Sequence, residues 1–229
     1  MPQSDKFIIT INREYGCGGR QIALELGKLL GVKVYDHHFI EELTKEFHLT
    51  MEQMDEIKFK KLNWWDEFTK FYGRATAWSS ANYYENPVET VTPKQIYLAE
   101  ERILKALADK ESCIILGCAG FHIFRDYENA IKMMFIADIN ARRDRIGRKL
   151  NISDGMADQQ IRIADEKREN YVQAISGKSR YDVHNYDIVL NVTNLEPESV
   201  AQFLAQSINQ KLQGKANDQR KAHFFSHGK

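Results

Sequence analysis

Apolar residues in this chain fall into short unbroken runs, separated by longer stretches in which they recur at helical spacing. Residues 7–11, FIITI, are β-branched and aromatic with no polar alternation. Such a run fits a strand buried on both faces, as in a parallel sheet. A glycine-rich turn at 16–19 follows, then QIALELGKLLG, where Ile22, Leu26, Leu29 and Leu30 share a helical stripe and Gly31 is a natural stop. VKVYD (32–36) reads as a second strand, and HFIEELTKEFHL as a helix. Further strand runs are CIILG (113–117), KMMFIAD (132–138) and YDIVLNV (186–192). Helical patterns lie between and after them: NARRDRIGRKL, MADQQIRIADEKRENYVQAI and ESVAQFLAQSINQKL. Strands alternating with helices predict an α/β fold around a parallel sheet.

Residues 50–100 break the alternation. FKKLNWWDEFTKFYG places Trp64, Trp65, Phe68, Phe71 and Tyr72 on one helical stripe. The stretch up to Thr92 reads as a loop punctuated by Asn86-Pro87 and Thr92-Pro93, and a helix is expected from Pro93 to about Asp109. The aromatic stripe is expected to be buried, within the domain or against a second subunit, so a homodimer is the weaker expectation for assembly. After Leu212 the sequence is polar without periodicity, and disorder is expected over 213–229. The chain thus reads as a single domain over 1–212. Its core is 6–49 and 111–212, with a helical insertion at 50–110 on the acceptor side and a helical lid at about 142–180.

Composition narrows the classes. With 32 basic and 32 acidic residues among 229, there is no global basic field for nucleic acid. Cys17, Cys113 and Cys118 have neither the number nor the spacing of a disulfide framework or a zinc site. No apolar run approaches a membrane span or a signal peptide, so a cytoplasmic protein with no membrane partner is expected.

The chemistry is concentrated at REYGCGGRQ (13–21). A strand running into glycines and then a helix lets backbone N–H groups and the positive helix end meet an anion. The same sequence also suits a ligand-free tight βα turn. The usual phosphate loop, G-x-x-x-x-G-K-[ST], is matched only in part. Arg13 stands at its first glycine, Gly18 at its last, and Gly19 where the lysine belongs, followed by Arg20 and Gln21.

INREYGCGGRQIALELGKLLGVKVYDHHFIEEL resembles the cytidylate kinase-like family, a branch of the nucleoside monophosphate kinases with the pattern S-R-E-Y-G-S-G-G-R, a helix, then Y-D. Here these are Asn12 to Arg20, then Tyr35 and Asp36. The likeness covers roughly 6–45 and 112–195. It implies a three-layer P-loop kinase fold with a central parallel sheet, ATP and Mg²⁺ as cofactors, and a loop lacking its lysine as a trait of the branch. Loop contacts to ATP are then expected from Arg13, Gly16, Cys17, Gly18, Gly19, Arg20 and Gln21. Arg20, in the first helical turn, is the leading substitute for the lysine, with Arg13 the other nearby cation. Gln21 offers only a carbonyl oxygen where Ser or Thr would hold Mg²⁺, so the ion is expected to be held mainly through water. Asp138 is read as a helix cap rather than a metal ligand.

On the acceptor side, Asp36 either caps the next helix or accepts a hydrogen bond from the acceptor. The adjacent His37 and His38 point apart and lack a third ligand, so no metal site is expected. ILGCAGFHIF (115–124) is similar to the family's V-G-R-G segment, which makes Gly117 and Cys118 acceptor contacts. Cys118 replaces the arginine there, and His122 or Arg125 is left to compensate. From 140 to 180, ten Lys/Arg face six Asp/Glu, an excess of four. DEKRENY (165–171) resembles the family's lid helix, which singles out Lys167 and Arg168 as catalytic contacts, Arg162 being weaker. Asp187 matches the N-Y-D before the last strand and is grouped with the substrate contacts, where it either positions a lid arginine or simply ends the loop.

The expected activity is ATP-dependent phosphoryl transfer to a small-molecule acceptor, first of all a nucleoside monophosphate such as CMP or dCMP. The alternatives are a nucleotide-binding sensor without turnover and a kinase for a non-nucleotide acceptor.

Overall fold

The computed structural model describes residues 6–36 and 93–226, except for the side chains at 93–96, 99 and 213–226. The helix expected at 38–47, His37 and His38, and the aromatic stripe at 64–72 lie outside the described residues.

Five strands form one parallel sheet: β1 (Ile8–Arg13), β2 (Lys33–Asp36), β3 (Cys113–Leu116), β4 (Ala130–Ile136) and β5 (Ile188–Asn191), in the order β2-β3-β1-β4-β5. In register, Ile9 lies between Ile114 and Ile131. The helices are α1 (Gly19–Leu30), α2 (Pro93–Lys110), the short α3 (Gly120–Ile123), α4 (Ile139–Leu150), α5 (Asp154–Ser176) and α6 (Pro197–Ser226). A 3-10 turn at Val183–Asn185 precedes β5.

The unbroken apolar strands are explained by a core on each side of the sheet. Ile9, Ile11, Ile114 and Phe135 pack with Ile22 and Leu26 of α1 and with Val200, Leu204 and Ile208 of α6. Alternate residues Ile8, Cys113 and Ile115 face the other way, onto Leu104 and Leu107 of α2 and Ile123 and Phe124 around α3. The result is the expected three-layer α/β arrangement. Because the chain passes from the β3 side of β1 to its β4 side, a crevice opens over the carboxyl end of β1, the usual ligand position in such sheets.

Gly31 closes α1 in the left-handed region (φ 66°), as its placement predicted. The closing helix departs from the sequence reading: it runs to Ser226 instead of stopping at Leu212. Apolar periodicity ends at 212, but Gln, Lys, Ala and Arg keep good helix propensity beyond it. Gly27 of α1 lies against β2. A Cβ there would meet Val34 Cγ2 at 2.7 Å and the Val32 carbonyl oxygen at 2.9 Å. Gly27→Ala is therefore expected to destabilise the fold by about 1–3 kcal/mol through overpacking, read as a lower urea midpoint. A midpoint at or above wild type would show that β2 yields to the methyl group.

Candidate functional site

The carboxyl ends of β1, β2 and β3 bring Arg13, Asp36 and Gly117 to one edge of the sheet. The loop from β1 to α1 is shaped by glycines that must be glycines. Gly16 (φ 83°) and Gly18 (φ 90°) are left-handed, a conformation that strains side-chain-bearing residues. A Cβ at Gly16 would also press on Ile146 Cγ1 at 3.0 Å and the Arg142 carbonyl oxygen at 3.1 Å. The loop base is pinned to β4: Glu14 N donates to the Phe135 carbonyl at 3.0 Å, and Glu14 Oε2 accepts from Ala137 N at 2.9 Å.

Gly19 is different. Its backbone is helical, but a Cβ there would meet Arg13 Cβ at 3.1 Å and Cys17 Sγ at 3.3 Å. The Arg13 stem therefore fills the space a lysine at 19 would need. The Arg13 guanidinium reaches Gly117, where an added Cβ would lie 2.7 Å from Nη1. Burial lowers the Arg13 pKa, while Cys118, Cys17 and Asp36 nearby act the other way and Arg180 adds to the lowering.

Helices α4 and α5 pack directly on the loop and bond its carbonyl oxygens. Arg142 Nε donates to Tyr15 O at 2.8 Å, Arg145 Nη1 to Gly16 O at 2.6 Å, and Arg168 Nη1 to Arg13 O at 3.2 Å. Arg180, just beyond α5, also donates to Arg13 O. At the centre is Asp165. It accepts from the Tyr15 amide at 2.8 Å, pairs closely with Arg142, and lies 3.6 Å from both Arg168 and Arg180. Arg142 also reaches Glu14 at 3.2 Å. Among the side chains on this loop, five arginines thus face two carboxylates, Glu14 and Asp165. Burial, followed by Arg13 and Arg180, pushes Arg168 down to about 9, with Asp165 pulling the other way. Such a crowd of desolvated cations is built to receive an anion.

Of the expected residues, some meet at the loop and others do not. Arg168 and Arg13 lie on the loop. Arg20 points to the acceptor side and pairs with Asp36 at 3.2 Å, its side chain about half exposed. Gln21 is exposed at the first turn of α1, and Lys167 is exposed on α5. Cys17 is buried beneath the loop and its thiol pKa is raised by burial, so its side chain faces the core and only its backbone lies in the loop. Cys118 is buried as well, with a left-handed backbone (φ 53°), and burial followed by the nearby Glu100 raises its thiol; Glu100 is itself buried on α2 and bonded by the Tyr171 hydroxyl. Arg125 turns away from Gly117 to the His122 carbonyl at 2.8 Å and to Asp126 at 3.3 Å. The His122 ring lies beside Tyr97 and Phe121.

Asp187 is not brought to the loop. It sits where β5 begins, accepting from Lys132 N at 2.8 Å and pairing with Lys211 of α6 at 2.8 Å. Burial raises its carboxyl pKa, but Lys211 and the Lys132 amide outweigh this and hold it low. Its N-Y-D context signals a strand start tied to β4, three residues short of the level of Arg13. Asp138 precedes α4 with no side-chain capping bond. Sequence reasoning passed over Glu14, Arg142, Arg145, Asp165 and Arg180 as individuals. The collective basic excess of 140–180 was the signal for the arginines; Glu14 and Asp165 had none of their own.

The sequence profile of the cytidylate kinase-like family matches residues 8–194. No curated protein matches the chain. Among solved structures, an uncharacterized protein from Eubacterium ventriosum shares the fold at TM-score 0.64 and 17% identity, with 89% of this chain and 99% of that one covered. A shikimate kinase from Bacteroides thetaiotaomicron superposes at TM-score 0.48 and 14% identity, covering 89% and 98%.

Proposed function

The chain belongs to the cytidylate kinase-like family, and from that premise we propose that it transfers a phosphoryl group from ATP to a small-molecule acceptor, with CMP or dCMP first among candidates. The observation that carries this is the ring of arginines from α4, α5 and the turn after α5, all bonded to one glycine loop over β1. Phosphoryl transfer asks for placement and fixed positive charge more than for covalent chemistry, and this site is made of those two things. ATP, when bound, supplies the group that is transferred.

Arg145 and Arg168 are the lid cations assigned to the donor phosphates. Each now spends a hydrogen bond on a loop carbonyl, which a phosphate oxygen would replace with a stronger, charge-assisted one. Arg20 joins them only by leaving Asp36, and Lys167 is a lid cation on the exposed face. The lid packing also excludes water from the loop. The donor set fits a polyanion. It does not by itself make a metal cage, since no group of three or more His, Cys, Asp or Glu suited to a metal occurs among the described residues. Mg²⁺ would be carried on the nucleotide's phosphates and water, with Gln21 and Asp138 at the rim. Asp36 faces the acceptor, with Gly117 beside it.

One observation favours a second reading. The thiol of Cys118 is buried against Glu100 where the family places an arginine, so the acceptor is not held there as in a typical nucleoside monophosphate kinase. A non-nucleotide acceptor, or nucleotide binding without turnover, would follow. The test is ADP formation by the purified protein with ATP, Mg²⁺ and each nucleoside monophosphate in turn. CMP- or dCMP-dependent turnover is expected. ATP binding with no turnover on any of them would favour the second reading.

A further inference from the structure

The two irregularities of the loop, an arginine in place of the first glycine and a glycine in place of the lysine, touch each other in space. A side chain at 19 would collide with the Arg13 stem, since even a Cβ there comes to 3.1 Å of Arg13 Cβ and 3.3 Å of Arg13 Cγ. The two positions are therefore one exchange: the cation has moved from one end of the loop to the other. We propose that Arg13 does the work of the missing lysine, its stem crossing Gly19 and its guanidinium meeting the γ-phosphoryl group of the donor above Gly117.

Three features place the head of Arg13 at that point. Gly117 ends β3, next to β1, and is tied to it by its amide, which donates to Ile11 O at 3.0 Å. The guanidinium therefore lies between the donor loop and the carboxylate of Asp36 at the end of β2, whose charge it feels. Gly117 has a left-handed backbone (φ 94°), and an added Cβ would lie 2.7 Å from Arg13 Nη1, so the residue before Cys118 is kept small for the arginine. Beside Arg13 stands Arg180, a fully buried guanidinium. Among the described residues its Nη1 has no hydrogen-bond partner, and its ion-pair neighbour is Asp165 at 3.6 Å. Arg180 thus adds fixed positive charge beside Arg13. An arginine here differs from a lysine in offering two parallel donors. Cys118 does not have to be a ligand in this arrangement, because the cation on the acceptor side comes from the loop.

This inference rests on the kinase reading, and its test separates the two. ATP and ADP are titrated calorimetrically into the full chain and into Arg13→Gly, Gly117→Ala, Arg125→Ala and the exchange variant Arg13→Gly/Gly19→Lys. A cation on the γ-phosphoryl group makes wild type prefer ATP over ADP by about tenfold or more, the worth of a charge-assisted hydrogen bond. Arg13→Gly is expected to erase the preference, and Gly117→Ala, which keeps the arginine but displaces its head, to shrink it. Arg125→Ala should leave it intact. The exchange variant, which returns the cation to its usual position, should restore it. A preference that survives in Arg13→Gly, or one that the exchange variant fails to recover, overturns the proposal while leaving the kinase reading in place. Failure of wild type to bind either nucleotide overturns both.

Discussion

Arg142→Ala is expected to cost about 3–5 kcal/mol of folding stability, the penalty for breaking a buried ion pair from one side. Its side chain is only 7% exposed and holds four things at once: Glu14, Asp165, the Tyr15 carbonyl and the packing of α4 on the loop. Without it, two carboxylates remain in a confined place with less compensation. At about 2–4 °C per kcal/mol for a chain of this size, the thermal midpoint should fall by roughly 10 °C. Arg142→Lys should recover only part of the loss, because an ammonium group cannot serve Glu14, Asp165 and the carbonyl in the geometry of a planar fork. A midpoint within about 3 °C of wild type would show that the network contributes little to stability and that Glu14 and Asp165 find other partners.

The second large effect is on turnover. Arg168→Ala should lower kcat by about a hundredfold to a thousandfold, the range for removing one preorganised charge donor, while moving the thermal midpoint far less than Arg142→Ala. The asymmetry follows from the surroundings. Arg168 is pushed down to about 9 by burial and by Arg13 and Arg180, so before a polyanion binds its charge adds little to stability. It bonds a single carbonyl at 3.2 Å and lies 3.6 Å from Asp165. With a polyanion present the same charge becomes an asset. Stopped-flow or steady-state measurement with the acceptor that supports ADP formation checks this. A fall in kcat below about fivefold would give Arg168 a structural role. Arg20→Ala in the same assay compares the helix arginine with the lid arginine.

Much of the architecture was legible because the three central strands are buried on both faces and α1 has one apolar stripe. Residues 113–116 are apolar and buried throughout, residues 8–12 are buried even at Thr10 and Asn12, and Gly31 ends α1 with the left-handed residue its position called for. The glycine loop was legible as a loop for a similar reason. The arginine contacts were not. Periodicity says which side of a helix is wet, but Arg142 and Arg145 lie on a face that is polar and buried at once, because it packs on the backbone of the loop. Asp165 shows the difficulty most clearly. In sequence it is one acid in the charged run DEKREN, yet in the fold it is buried and takes the Tyr15 amide across 150 residues. Asp187 shows the reverse: its local pattern left a lid-positioning role and a loop-ending role open, and in the fold it pairs over long range with Lys132 and Lys211. The extension of α6 to Ser226 was hidden because propensity without an apolar face leaves no periodic trace.

The burial of all three cysteines has a practical consequence. Cys17 lies under the donor loop, Cys118 under the turn after β3, and Cys113 inside β3 itself. Burial raises each thiol, Cys113 to about 12, so none presents a thiolate to a reagent while the fold is closed. Alkylation can then proceed only as fast as the covering segment lifts. Followed cysteine by cysteine in a mass spectrometer, the modification becomes three clocks in one unaltered molecule: one for the glycine loop, one for the turn after β3, and one for the sheet as a whole.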